Sequence, residues 1–304
     1  MAIDRFKAME VFTRVAELGS FTHAADTLHM PKPTVSNMVQ DLEAHLGVRL
    51  LNRTTRRLNL TADGVAYLAR ANLILGDLQD LETQVRGALV TPAGRLRVDG
   101  PAAMGRHVLM PNLPDFFKRY PNIALEVGSS DRPVDLVREG IDCVVRGGNV
   151  FDETLVARKL GAFPVFTCAS PKYLKKFGTP KTLADLSKHQ FVNYFSAKTG
   201  KVFAFDFYVA DASGQPQLQQ INRPHQVAAN DADSHVAATL AGLGLAQLVG
   251  TENLQTHLEE GRLVRVLKGF ECGELPLFLM YPQNRHLSAR VRAFADWVVE
   301  LYKV

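Results

Sequence analysis

Arg49, Arg53, Arg56 and Arg57 fall within nine residues, and no acid stands between Ala44 and Ala62. Guanidinium groups in such density suit phosphate oxygens, which they bind with charge and in pairs of hydrogen bonds. Just upstream, Thr34, Ser36, Asn37 and Gln40 form a run of short polar side chains able to approach base edges. A second set lies further along: Gly100-Pro101-Ala102-Ala103, Ser129-Ser130-Asp131, Arg146-Gly147-Gly148, Tyr194-Phe195-Ser196 and Asn230-Asp231-Ala232. Ser and Asn donors beside an arginine favour an anionic or polar small molecule. The plainer alternative is that these Ser and Asp residues cap helices and that Arg146 pairs with a carboxylate. Asp231-x-Asp233-x-His235 has the types of a metal cluster, but it sits where a helix begins, which favours capping. No GxSxG elbow, HExxH, Walker A loop or dinucleotide-binding glycine fingerprint is present, so no enzyme class and no cofactor is indicated.

These side chains need elements to hold them. Phe6, Met9, Phe12, Val15 and Ala16 form one helical stripe, closed by Gly19. Phe21, Ala24, Ala25 and Leu28 form a second, with Ser20 as N-cap. Val35, Met38, Val39, Leu42 and Leu46 form a third, with Pro33 near its start and Gly47 past its end. Helices this short must share one core. Only residues 29–32 join the second to the third, which is helix-turn-helix spacing. Ser36, Asn37 and Gln40 then lie away from the apolar stripe of the third helix. The arginine segment reads as two short strands around a turn, a wing beside the reader.

The whole-chain figures say less. The 304 residues carry 35 Lys/Arg against 31 Asp/Glu, a formal net charge of +4, with 46% apolar and 22% charged residues. That is an ordinary globular composition, long enough for two or three domains. No 18-residue apolar run predicts a membrane span, and the N-terminal segment lacks the apolar core of a signal peptide. Cys143, Cys168 and Cys272 are odd in number and form no CxxC, as expected for a reducing cytoplasm. Cys143 and Cys168 read as inert residues of apolar strands.

One stretch gathers these signals at fixed spacing: Phe12-x-x-Val15-Ala16-Glu17-x-Gly19-Ser20-Phe21-Thr22-x-Ala24-Ala25, Val35-Ser36, Leu42-Glu43, Leu46-Gly47, Leu50-Leu51-x-Arg53-Thr54-Thr55-Arg56 and Leu60-Thr61-x-x-Gly64. It resembles the DNA-binding domain of LysR-type transcriptional regulators. The segments 130–142, 155–160 and 169–174 resemble the CrgA-like branch of that family, so the resemblance covers the whole chain. It implies that the third helix enters the major groove, with Thr34, Ser36, Asn37 and Gln40 as readers and Arg53 and Arg56 as backbone clamps. Many relatives carry Ser at the position of Pro33 and Arg at that of Asn37, which bears on base preference. The resemblance also implies a homodimer, commonly assembled into a homotetramer, on double-stranded DNA with an approximate inverted-repeat operator. RNA polymerase is a further partner of such a regulator, and no membrane is involved.

Thr61 caps a predicted helix to about residue 88, whose Leu68, Ala71, Leu75, Leu78, Glu82 and Val85 make a heptad seam imperfect at Glu82. Residues 87–94 read as a hinge. Beyond it, strands are predicted over 96–99, 123–127, 141–146, 165–169, 191–194 and 245–249. Helices are predicted over 106–120, 134–139, 183–189, 232–243 and 288–302. This alternation predicts mostly parallel sheets. The expected architecture is an N-terminal winged helix-turn-helix (1–61), a linker helix and hinge (62–91) and a two-lobed α/β domain (92–304). The resemblance gives that domain a type 2 periplasmic-binding-protein-like fold. Lobe I would hold 92–161 and 266–304 and lobe II 162–265, with crossings near Gly161 and 266–275. Effectors then belong between the lobes, at Pro101, Ala102, Ala103, Ser129, Ser130, Arg146, Phe195, Asn230 and Asp231. With Ala102 and Ala103 where relatives often have Ser or Thr, the expected effector has an apolar or aromatic body and one polar end. The rival is a small-molecule binding or transport protein, or an enzyme, on the same α/β core. It would need an export signal or a catalytic constellation.

Overall fold

The structure is a computed structural model that describes residues 3–53, 58–85, 91–132, 134–148, 154–283 and 287–302. Helix α1 (Arg5–Leu18) starts where the Asp4 carboxylate accepts from Lys7 N and ends at Gly19 in the left-handed region. Helix α2 (Phe21–Leu28) is capped by Ser20. Helix α3 (Lys32–Leu46) has Pro33 in its first turn, where a missing N–H costs nothing, and stops at Gly47. Val11, Phe12, Val15, Ala24, Ala25, Val35, Val39 and Leu42 close around one core, joined by Leu50 and Leu51. The stripe of α1 is rotated from the predicted one. Phe6 is 54% exposed, while Ala8 and Val11 are buried, because the small and β-branched side chains let α2 and α3 approach closely.

Strands β1 (Leu51–Arg53) and β2 (Leu58–Leu60) form the antiparallel wing. Helix α4 (Ala62–Val85) follows. Its Tyr67 and Leu68 pack on the reader core, and Ala71 and Leu73 are buried within the chain, while Ile74 and Leu81, one heptad apart, are exposed. The seam read from the sequence is thus partly consumed inside the chain. Val85 has its side chain outside the described residues, and the first half of the predicted hinge, 87–90, lies outside them altogether.

In the C-terminal domain, β3 (Ala93–Gly100), α5 (Ala102–Met104), a π-helical turn (Gly105–Leu109), α6 (Met110–Arg119), β4 (Asn122–Ser129) and β5 (Cys143–Gly147) come first. Then follow β6 (Leu155–Ala169), α7 (Pro171–Phe177), a 3-10 turn (Leu183–Lys188) and β7 (Phe191–Tyr194). The chain continues through β8 (Phe205–Ala210), β9 (Pro216–Ile221), β10 (His225–Ala229), α8 (Ala232–Leu240), β11 (Ala246–Val249) and α9 (Glu252–Glu259). It ends with β12 (Val264–Arg265), β13 (Glu274–Pro282) and α10 (Ala289–Leu301). The main sheet has the order β11-β6-β13-β5-β3-β4. It is mixed rather than mostly parallel: β3 runs parallel to β4 and β5, but β13 lies antiparallel to β5 and β6. The reason is the crossing. Strand β6 runs 15 residues without a break from one lobe into the other, and β13 returns beside it from Glu274↔Pro164 to Pro282↔Leu155. The two expected crossing points are therefore one two-stranded strap, in which Gly161 faces Leu277. Segment 134–139 forms turns instead of the predicted helix. Asp135 Oδ1 accepts from Val137 N and Arg138 N, the local bonding that competes with a helix.

Leu96, Val98, Phe116, Phe294, Trp297 and Val298 fill lobe I between the sheet, α6 and α10. In lobe II, Phe191 stacks on Phe205 at 3.9 Å between ring centroids. Among the described residues no helix is long and apolar enough to cross a membrane.

Candidate nucleic-acid interface and effector cleft

Thr34, Asn37 and Gln40 are exposed on α3, opposite buried Val35, Val39 and Leu42, and Ser36 is half-buried beside them. The wing is held against this helix by a residue that sequence reading passed over as one more helix acid. Glu43 Oε1 accepts from Leu50 N at 2.8 Å and from Leu51 N at 3.0 Å. Thr61 completes the joint: its hydroxyl donates to Arg49 O at 2.7 Å and accepts from Gly64 N at 2.9 Å. A Cβ on Gly64 would stand 2.0 Å from Leu50 O, so this approach needs glycine. The signal for Glu43 lay in its place: an acid one turn before the end of a reader helix, where carboxylates are disfavoured. Arg53 pairs with Leu58 through the wing ladder, its side chain being outside the described atoms, and Arg56 lies outside the described residues.

The nine residues expected at the effector site fall at strand ends, helix starts and the turns between them, with Ser129 closing β4 and Arg146 inside β5. Pro101 precedes α5, which carries Ala102 and Ala103. A Cβ on Gly105 would lie 2.6 Å from Ser129 Oγ, so this turn packs directly on the end of β4. Ser130 N donates to Gly100 O at 2.9 Å. In lobe II, Phe195 N donates to Ala229 O, Asn230 O accepts from the Tyr194 hydroxyl at 2.7 Å, and Asp231 caps α8 through Ser234 N at 2.8 Å. Capping is thus what Asp231 does in this structure. Arg146 takes the plainer of the two roles open to it: its Nη2 meets Asp99 Oδ1 at 2.5 Å and Arg132 O at 2.9 Å. Its charge is largely answered within the chain.

The lobes touch through residues the sequence did not single out as a pair. Arg106 Nη1 lies 2.8 Å from Asp233 Oδ2, and His107 Nε2 lies 3.1 Å from Asp233 Oδ1. Asp131 sits among carboxylates. Burial, then the neighbouring charge of Asp231, raises its pKa to about 6 against the opposing pull of Arg146. Tyr194 is pushed up by burial and by Asp131 and Asp231. His235, which completed the metal-like spacing, is buried with Nε2 2.9 Å from Val192 O, and burial lowers its pKa. The three side chains of that motif thus serve a cap, an ion pair and a core contact. Burial pushes the thiols of Cys143 and Cys168 up, the latter to about 12, which keeps both as unreactive thiols.

A three-helix reader with a pinned wing, joined by one long helix to a two-lobed α/β domain, defines a ligand-responsive DNA-binding protein. Residues 6–65 match the bacterial regulatory helix-turn-helix proteins of the lysR family, and residues 90–303 match the LysR substrate binding domain. The chain belongs to the LysR family of transcriptional regulators. It is 40% identical over 300 residues to an HTH-type transcriptional repressor of Pseudomonas aeruginosa, covering 99% of this chain and 93% of that one. It is 35% identical over 293 residues to the HTH-type transcriptional regulator CrgA of Neisseria meningitidis, covering 96% and 95%. A solved structure of CrgA superposes with a TM-score of 0.60 at 33% identity, covering 98% and 99% of the two chains. The expected CrgA-like resemblance is borne out, and this chain is a DNA-binding transcriptional regulator controlled by a small molecule.

Proposed function

We propose that paired copies of this chain read an approximate inverted repeat in duplex DNA, and that an effector seated between the lobes changes the angle between the two readers. Thr34, Ser36, Asn37 and Gln40 contact bases, and Arg53 and Arg56 clamp the backbone. The functional divisions are the reader (1–61), the linker (62–91) and the regulatory domain (92–304). Pairing runs along α4, where Ile74 and Leu81 are exposed, and pairs join into a tetramer that meets RNA polymerase in the cytoplasm. The protein performs no catalysis.

The observation that carries this reading is the bridge from Asp233 on α8 to Arg106 and His107. It spans the two lobes through side chains, with Arg106 exposed and His107 and Asp233 half-buried, so it can open without unfolding either side. The effector's apolar body lies toward Ala102, Ala103 and Phe195 and its polar end toward Ser129, Ser130, Arg146, Asn230 and Asp231, with Pro101 at the rim. A thermal-shift screen of the full chain, followed by gel shifts with each hit, tests it. Stabilisation by aromatic or apolar molecules bearing one polar group, with altered DNA mobility, is expected. Stabilisation by small hydrophilic anions alone would contradict the assigned effector.

A further inference from the structure

Arg290 opens α10 and is 5% exposed, unusual for an arginine. Its Nη2 stands 3.9 Å from Asp142 Oδ1. It also meets the linker helix: a Cβ on Gly76 would lie 2.6 Å from the same Nη2. A guanidinium from the regulatory domain thus presses on bare backbone in α4, in a hollow lined also by Asp77, Tyr281 and Ser288. About two turns upstream, Gly140 packs on the backbone of Ala69 in the same helix.

Asp142 is fastened to β3 on both sides. Its Oδ2 accepts from Arg97 N at 2.9 Å, and its N–H donates to Arg97 O at 2.8 Å. Two residues on from Arg97 is Asp99, and four on from Asp142 is Arg146, the ion pair at the cleft. Strands β3 and β5 are in register between them, Val98 opposite Cys143 and Asp99 opposite Val144. The cleft pair and the linker contact are therefore joined by short runs of the same two strands, two residues along β3 from Arg97 to Asp99 and four from Asp142, just before β5, to Arg146, about 7 and 13 Å at the usual rise.

We propose that Arg290 and Asp142 are positioning residues for the DNA reader: they seat α4 on the regulatory domain at Gly76 and carry the state of the Asp99–Arg146 pair to it. The proposal rests on the effector cleft assigned above. Whatever competes for Arg146 alters how β5 lies on β3 and moves Asp142. A buried arginine cannot be left without its carboxylate cheaply, so Arg290 follows. With no side chain at Gly76 to absorb the shift, the close-packed helix moves with it.

The test uses full-length protein and a DNA fragment enriched from a random pool by the wild type. Arg146→Gln breaks the cleft pair without any knowledge of the effector. Gly76→Ala drives a Cβ into the guanidinium, and Arg290→Lys keeps the charge but loses the planar fork. Affinity and DNA bend angle are measured for each variant and for the doubles, with thermal melts to verify folding. Arg146→Gln should change affinity about fivefold or more, or visibly change the bend, and that change should vanish on the Gly76→Ala background. Should Gly76→Ala fail to fold, the Arg290→Lys background serves for the same comparison. Single-variant factors that multiply to the double within about twofold would overturn the proposal, as would an Arg146→Gln protein with unaltered DNA binding. These outcomes need no ligand, so a screen finding no effector would sink the cleft reading and leave this coupling to be judged separately.

Discussion

The two working ends of this chain handle polar side chains in opposite ways. On α3, Thr34, Asn37 and Gln40 stand exposed over a dry core. At the cleft, polar and charged groups are satisfied by one another: Arg146 by Asp99, and Arg106 and His107 by Asp233. The reader is a prebuilt surface that needs only a partner carrying phosphate and base edges. The cleft is a set of internal pairs, and in the proposed function an effector seated there exchanges them for its own, which is how binding energy biases one arrangement over another. The contrast also locates rigidity. Glu43 and Thr61 tie the base of the wing to its neighbouring helices, whereas the lobes share a two-stranded strap and an ion pair exposed on its Arg106 side.

The contrast breaks first at Glu43. Glu43→Ala leaves two half-buried N–H groups at Leu50 and Leu51 without their acceptor, and DNA affinity should fall about tenfold or more. The salt slope should flatten as the wing arginines leave the phosphates, and Glu43→Gln, which keeps an acceptor, should recover most of the loss. Gel-shift titrations across salt concentrations read both. Gln40→Ala comes next, with a cost of about 1–3 kcal/mol on selected DNA if it makes a bidentate base contact. Equal losses on selected and random DNA would remove Gln40 from the readers.

At the cleft the effects are smaller. The Asp131 carboxyl titrates at about 6, above the ordinary value of 3.8. The folded state thus binds this proton more tightly than the unfolded one, and the group opposes folding above pH 6. That penalty fades as the pH falls from 6 to 4. Asp131→Asn should stabilise the protein at pH 7 by about 1 kcal/mol after solvent screening, and leave it little changed at pH 4. Denaturant melts at the two pH values check this. Asp233→Asn should cost the free protein under about 1 kcal/mol, since Arg106 is well exposed.

Sequence periodicity carried the reader almost intact, because its helices are bounded by Ser20, Pro33, Gly19 and Gly47 and its core is local. Phe6 misled because its size outweighed the smaller Ala8 and Val11. The strap was illegible for another reason. Gly161 and Pro164 interrupt the apolar run of β6, and only pairing with β13, more than a hundred residues away, makes it one strand. The turns proposed for the cleft were picked out by their Ser, Asn and Asp residues. Their pairings were not, since Asp99–Arg146 and Arg106–Asp233 depend on strand order and on how the lobes meet.

The central claim, a prebuilt reader presented twice, is tested most directly by nuclease footprinting of the full chain on its selected fragment. Two protected half-sites in inverted orientation, their centres about one helical turn or a multiple of it apart, are predicted. A single unpaired site, or two half-sites in direct repeat, would contradict it.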